Sequence, residues 1–260
     1  MIQKIRNNPY VVAMYVRLKE ERLFKIDYFS MTLQLIVQSL IYFLFFSSFL
    51  HSASVDWREV VIYYVSINFI FISVEEAMYF AYELMTDIKD GIVSLFETKP
   101  VSYVKYRYFQ KTGKTIFVLA INIVFMGILR YIIFKEIFIL DLMLVLVSSF
   151  IGFSILFFIQ GIIGCFTRYF IDITRFRDVI YMVLLVFGGK VLPISMMPKT
   201  LANMIEYTPI PYIFNTPAEI FVGHYSISTI GIQLVWAIVL GLFFNTLYKA
   251  WIKENVENFS

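Results

Sequence analysis

LMLVLVSSFIGFSILFFIQGIIGCFT, residues 142–167, runs without one charged side chain, and this stretch decides the class of the fold. A helix needs about 20 apolar residues to cross roughly 30 Å of hydrocarbon, and this run is long enough. Tyr28 to Val55 and Ile220 to Tyr248 are equally free of Asp, Glu, Lys and Arg. Trp57 to Leu84 carries Glu75 and Glu76 in its second half, and Thr115 to Phe134 carries only Arg130. Val179 to Gly189 is shorter and must continue past Lys190 towards Pro198 to cross. The spacing predicts six spans, at 28–50, 57–85, 115–134, 142–167, 176–198 and 226–248.

Composition agrees with a bilayer protein. Apolar residues make up 60% of the 260, charged residues 16%, and the mean hydropathy is +0.75. Ordinary soluble domains are roughly 45 to 50% apolar and about 25% charged. A water-soluble particle of this size would expose apolar patches far larger than such proteins tolerate. The net charge of +3 is too small to argue for nucleic acid. A lone Cys165 excludes an intrachain disulfide framework and a cysteine metal cluster, and His51 and His224, the only histidines, leave no zinc-hydrolase pattern. Met1 to Asn8 is followed by a charge-dotted stretch rather than a compact apolar core with a small-residue exit, so the first span is expected to remain in the protein.

Orientation follows from the cations. With the N-terminus inside, 17 of the 22 Lys and Arg residues fall on the cytoplasmic side, six of them before the first span and six between spans two and three. The positive-inside rule then places both termini in the cytoplasm of a multi-pass cell-membrane protein. Trp57 and Trp251 sit near span ends, where amphipathic rings favour the headgroup layer.

Three stretches outside the spans carry the remaining information. Residues 1–27, above all Pro9 to Asp27, mix Val12, Tyr15, Val16, Leu18, Leu23 and Phe24 with Arg17, Lys19, Glu20, Glu21, Arg22 and Lys25, a pattern suited to an interfacial amphipathic helix on the inner leaflet. The alternative is a solvated basic tail. Residues 87–114 interleave aromatics and cations (Tyr103, Lys105, Tyr106, Arg107, Tyr108, Phe109, Lys111), and Pro100 can open a short helix there. Such a surface suits protein docking better than single-stranded nucleic acid. Leu192 to Gly223 holds five of the seven prolines, Pro193, Pro198, Pro209, Pro211 and Pro217. It cannot be one continuous spanning helix, yet it is too apolar for a solvated loop. Short helices dipping into the outer leaflet, a re-entrant segment at 199–223, satisfy both facts and point to an outer gate.

Gly113-Lys114-Thr115 imitates the end of a phosphate-binding loop, but the earlier glycine that motif needs falls at Tyr108 and no strand precedes it. With no other Walker-type sequence in the chain, nucleotide hydrolysis is expected on a separate protein.

Ile88-x-x-Gly91 followed by Lys99-Pro100 resembles the motif after span two in permease subunits of ABC-2 type exporters. Leu192-Pro193 with Ser195 and Pro198, then Pro209-x-Pro211, Pro217 and Gly223, resembles that family's outer re-entrant segment before the last helix. The resemblance covers the whole chain as one transmembrane domain, 1–260. It implies an all-α integral membrane fold with a cytoplasmic coupling helix. It further implies a half-transporter: two permease chains, a homodimer or a pair of paralogues, assembled with two ABC ATP-binding subunits that hold ATP and Mg, while this chain binds no cofactor itself. The interfacial helix and Asp90, Gly91, Lys99, Pro100, Tyr103 and Arg107 would be the parts that touch the ATPase.

Glu75 and Glu76 are the sharpest intramembrane feature, because a carboxylate at a helix centre costs about 2.5 to 3.5 kcal/mol on insertion scales and must find water, a partner or a proton. Adjacent helical residues point about 100° apart, so one can face a substrate path while the other pairs, Arg168 and Arg175 being the nearest candidates in sequence. A structural role and contact with a cationic amphiphile both remain open for the pair. Arg130 is expected to snorkel as an anchor. Tyr42, Phe43, Phe45, Phe46 and Phe49 form an aromatic face for a pocket, lipid or a second permease, and Gly161 with Gly164 offers a close-approach stripe for a dimer contact. The rival readings are a membrane-embedded enzyme acting on lipids or isoprenoids and a proton-coupled secondary transporter. The first lacks convergent acid, base or metal-binding groups at one depth, and the second has only two acids to work with.

Overall fold

The computed structural model describes residues 8–21, 30, 33–38, 40–41, 44–45, 57–135, 139–169, 172–224 and 227–259. Among the described residues every regular element is helical. In chain order they are α1 (Pro9–Glu21), α2 (Trp57–Val74), a 3-10 segment (Glu75–Tyr79), α3 (Phe80–Lys89), α4 (Ile92–Glu97), α5 (Tyr103–Phe134), α6 (Ile139–Cys165), α7 (Thr174–Phe187), α8 (Lys199–Glu206), α9 (Pro211–Val222) and α10 (Ile227–Phe259).

Four helical stretches among the described residues are long and apolar enough to cross a membrane: Arg58–Lys89, Tyr103–Ile132, Ile139–Cys165 and Ile227–Trp251. They correspond to the expected spans 57–85, 115–134, 142–167 and 226–248. The expected first span, 28–50, lies mostly outside the described residues, as do Tyr42, Phe43, Phe46 and Phe49 of its aromatic face. The expected span 176–198 is instead α7, whose 14 residues reach about 21 Å. It stops in a turn where Gly189 has φ 85°, a left-handed conformation that glycine adopts without steric cost. Six spans therefore become four among the described residues.

The third of the expected spans begins earlier than its hydropathy indicates. α5 starts at Tyr103, so the aromatic and basic residues of the 87–114 stretch ride on the same helix that enters the membrane. α1 lies across the N-terminal part of α5, with its Tyr10 hydroxyl accepting the Ser102 backbone N–H at 3.0 Å. The crossing point is Gly113, where a Cβ would strike the Met14 carbonyl. The Gly113-Lys114-Thr115 imitation of a phosphate loop is thus a helix crossing, with Thr115 buried behind it.

α6 is the centre of the bundle, touching α2, α3, α5, α9 and α10. Lipid tails are as apolar as side chains, so helices here associate through close packing and internal hydrogen bonds rather than escape from water. Phe157 of α6 stacks on Phe80 of α3 with ring centroids 4.0 Å apart, and Phe244 of α10 meets Phe80 edge-on at 6.0 Å. The small residues of α6 are used within the chain. Gly152 accepts the Ile213 backbone of α9, Gly161 the Phe244 ring and Gly164 the Leu84 side chain. The glycine stripe expected at a dimer contact is therefore filled by this chain's own residues. Gln233 of α10 completes the join, its Nε2 donating to the Ser148 carbonyl at 2.8 Å and the Tyr212 carbonyl at 2.7 Å.

Arg130 does not snorkel. It is 7% exposed, its Nη1 donates to the Phe221 carbonyl at 2.8 Å, and it pairs with Asp141 at 3.0 Å. A guanidinium whose charge and donors are met inside the protein has no need to reach for headgroups. It ties α5 and α6 to the end of α9. α9 itself is wedged against α2 and α6, with Ile213, Phe214 and Ile220 fully enclosed. Pro211 occupies the first turn of α9, where its missing N–H costs nothing, and Pro217 lies inside the helix.

Candidate functional site

The span Arg58–Lys89 is not a uniform helix, and its irregularity builds the site. In α2 the Phe69 carbonyl is claimed both by the Ser73 hydroxyl at 2.7 Å and by Asn122 Nδ2 of α5 at 3.1 Å; Asn122 also donates to Ser73 Oγ at 2.8 Å. A side chain inserted into the backbone ladder disturbs helical geometry, and the helix tightens to 3-10 form immediately afterwards, at Glu75–Tyr79. Mid-helix 3-10 turns mark hinges. The two carboxylates stand on this one, with Glu75 about 25 Å along the span from Arg58 at 1.5 Å per residue.

The carboxylates diverge as adjacent helical residues must. Glu76 is held by Lys114 at 2.8 Å, Arg17 at 3.5 Å and Lys111 at 3.8 Å. Lys111, only 2% exposed, also bonds Glu83 at 2.7 Å and the Glu76 carbonyl at 3.0 Å, while Arg17 reaches Glu21 at 3.1 Å. This network joins α1, the hinge, α3 and α5. The pairing expected with Arg168 or Arg175 is replaced by cations of α1 and α5. No periodicity rule reveals Lys111 and Lys114 as the partners, because they become neighbours only when α5 extends inward past its apolar stretch.

Glu75 faces the other way. It receives the Tyr79 hydroxyl at 3.1 Å and has no ion-pair partner among the described residues. It lines a polar cavity of about 400 Å³ with Gln34, Gln38, Lys114, Tyr181 and Lys190, at whose edge the paired Glu76 also stands. The Lys190 ammonium lies 3.1 Å from the centroid of the Phe71 ring and likewise has no carboxylate partner among the described residues. A second cavity of about 180 Å³ shares Glu75, Tyr79 and Tyr181 with the first and extends to Gln160, Arg177 and Asp178 near the start of α7. Gln160 is fully buried in α6, and neither polar atom of its amide has a partner among the described residues. An enclosed amide without partners calls for water or a polar ligand. Sequence reasoning missed Lys190, Gln160, Gln34 and Gln38; a lysine and glutamines within apolar runs are the signal that was available.

Next to Lys190 lies a tight set of contacts. Tyr63 of α2 donates to Asn215 Oδ1 of α9 at 2.7 Å and lies 3.0 Å from the Gly189 carbonyl, and Tyr64 donates to the Val191 carbonyl at 3.2 Å. Of the prolines expected at an outer gate, Pro193, Pro211 and Pro217 are buried, Pro209 is half-buried and Pro198 is exposed at the start of α8. Glu219, His224 and Glu59 cluster beside them, with His224 3.7 Å from Glu219 and 3.8 Å from Glu59. Burial raises the Glu219 carboxyl above the ordinary carboxylate range; His224 opposes this and the Glu59 charge adds to it.

At the opposite end, Gly91 turns α3 into α4 with φ 71° and open space around it, so glycine is needed there for conformation rather than room. Asp90, Lys99 and Pro100 are exposed around α4 and Gly91 is half-buried. Leu95, 57% exposed, stands among them as an apolar side chain the sequence reading passed over. Tyr103 and Arg107 do not share this surface in the same way. Tyr103 is buried and donates to Asp87, and Arg107 bonds the same carboxylate at 2.5 and 3.0 Å. The two residues brace α3 against α5 directly beneath α4.

No match to this chain is found among curated proteins. The family model described as "ABC-2 family transporter protein" matches residues 32–255, almost the whole of a helical, membrane-crossing chain, and the protein belongs to that family.

Proposed function

We propose that this permease is one half of the translocation path of an ATP-driven exporter, completed by a second copy or a paralogue and powered by separate ABC ATP-binding subunits. The observation that carries the reading is the polar cavity at Glu75, set on a hinge in the second span, with a braced, exposed helix on the cytoplasmic end of that span. Substrate enters from the cytoplasm or inner leaflet past Arg177 and Asp178, moves along Gln160 and Glu75, and leaves past the proline-rich outer segment once the Tyr63–Asn215 and Tyr64–Val191 contacts open.

Two arrangements of similar energy are needed, and ATP binding must favour one through differential contacts. The ATPase pair docks on α4 and α1. Closure of that pair pushes α4, the Asp87 brace transmits the push to α3 and α5, and the 3-10 hinge lets α2 move separately from α3. Glu76 and its cations hold α1 to the same hinge. Neither enzymatic chemistry nor proton coupling has a comparable structural basis here, since Glu75 and Glu76 are committed to a cavity and an ion network respectively.

Co-purification tests the reading. The full-length permease should retain an ABC ATPase through purification from its host membrane and stimulate its hydrolysis in vesicles. A purified chain that moves solute or turns over a lipid without any ATPase would overturn it.

A further inference from the structure

We propose that the cavity at Glu75 takes a zwitterion, its cationic group on the Glu75 carboxylate and its anionic group on the Lys190 ammonium. This rests on the reading of the cavity as the substrate path. The two charges stand on different elements, Glu75 on the 3-10 hinge and Lys190 on the turn after α7, and line one cavity. Neither has an ion-pair partner among the described residues. Among the described residues, the other charges lining this space, Glu76 and Lys114, pair with each other at 2.8 Å, and Arg177 and Asp178 of the adjoining cavity pair at 2.7 Å. Glu75 and Lys190 act on each other across this polar space without forming an ion pair, and a site that holds an acid and a base apart in this way selects by charge.

The alternatives fail on electrostatics. A ligand carrying only a positive charge would satisfy Glu75 while facing Lys190 across the same cavity. An anion would satisfy Lys190 and face Glu75. A neutral ligand would leave the two charges with only each other, across the cavity and without a direct ion pair. A molecule with both groups meets both, and no net charge is carried into the membrane. The space of about 400 Å³ lies within the range of small-ligand pockets. Tyr79 and Tyr181 supply ring surface for an apolar or aromatic body, and Gln34 and Gln38 supply amides for its polar atoms. The ligand can arrive from the inner leaflet as a zwitterionic amphiphile or from the cytoplasm as a free aromatic zwitterion, the recognising chemistry being the same.

The test is equilibrium binding to the full-length chain in nanodiscs of phosphatidylglycerol, whose headgroups are not zwitterionic. Lysophosphatidylethanolamine probes the leaflet source and the dipeptide Phe-Phe the cytoplasmic one; dodecylamine and dodecyl phosphate are the singly charged controls. One or both zwitterions should bind at least about tenfold more tightly than either control. Glu75→Gln should weaken zwitterion and amine by about tenfold and strengthen the phosphate, whereas Lys190→Gln should weaken zwitterion and phosphate by about tenfold and strengthen the amine. The double exchange Glu75→Lys with Lys190→Glu should restore zwitterion binding, a result that loss of folding cannot mimic. Equal binding of a singly charged control, or equal effects of both substitutions on all four probes, overturns the proposal. Charge-blind binding together with normal ATPase stimulation leaves the permease reading standing and removes the zwitterion. Charge-selective binding by a chain that engages no ATPase does the opposite.

Discussion

Asp87, near the C-terminal end of α3, accepts the Arg107 guanidinium of α5 at 2.5 and 3.0 Å, and this bond spans the short connection between the crossing helices Arg58–Lys89 and Tyr103–Ile132. Both ends are largely enclosed, the Asp87 side chain 7% and the Arg107 side chain 20% exposed. Asp87→Asn should cost about 1.5 to 3 kcal/mol of stability, the range for hydrogen bonds to charged groups. If α4 acts as a lever through this brace, the variant should keep its ATPase but lose transport per ATP hydrolysed. Thermal unfolding in detergent and the ratio of transport to hydrolysis in vesicles check the two parts separately; unchanged coupling would disprove the lever.

Leu95 predicts where the ATPase sits. It is an exposed leucine beside Asp90 and Lys99 on a helix of six residues, and interfaces place an apolar anchor within a polar rim. Leu95→Asp should abolish co-purification of the ATPase with little change in melting temperature, since the side chain contributes little to the fold. Gly91→Ala should act differently: its left-handed φ of 71° costs an alanine roughly 1 kcal/mol, so α4 is tilted rather than stripped of its contact, and Gly91→Asn should recover most of the loss.

The crossing helices were legible because an uncharged run of sufficient length has few other fates than a bilayer. Their ends were not, and Tyr103 shows why. Hydropathy marks where a helix enters lipid, whereas the helix itself continues for as long as its backbone bonds are made, and α5 carries Lys111 and Arg107 inside the protein by pairing them with Glu83, Glu76 and Asp87. The paired carboxylates were visible as a site, and their divergence followed from helical geometry. The partners of Glu76 were not, because Arg17, Lys111 and Lys114 reach it through tertiary packing alone. Arg130 was misread for the same reason: a cation near a span end looks like an anchor until the Phe221 carbonyl and Asp141 are brought beside it.

Gly113 predicts the strength of the hold on α1. A Cβ at this position would meet the Met14 backbone rather than a yielding side chain, so Gly113→Ala must push α1 off α5 despite alanine's better helix propensity. The expected result is loss of about 1 to 3 kcal/mol, the usual cost of overpacking, together with faster hydrogen exchange across Pro9–Glu21. Exchange unchanged in α1 would show that the helix is not seated at Gly113.

Glu219 predicts the pH response of the outer segment. Its carboxyl is raised by burial, lowered in part by His224 and raised again by Glu59. An acid whose folded value exceeds its unfolded one contributes stability that is present below the unfolded value and lost as pH rises through the folded value. The seat of α9 should therefore tighten on acidification and loosen towards neutrality. As pH falls from neutrality towards the ordinary carboxylate range, amide exchange in Pro211–Val222, corrected for the intrinsic rate at each pH, should become more protected. Glu219→Gln removes the titrating group, so that protection should stay near its acid level across the range. A wild-type chain whose α9 becomes less protected in acid, or a glutamine variant that keeps the full pH slope, would assign the response to other groups.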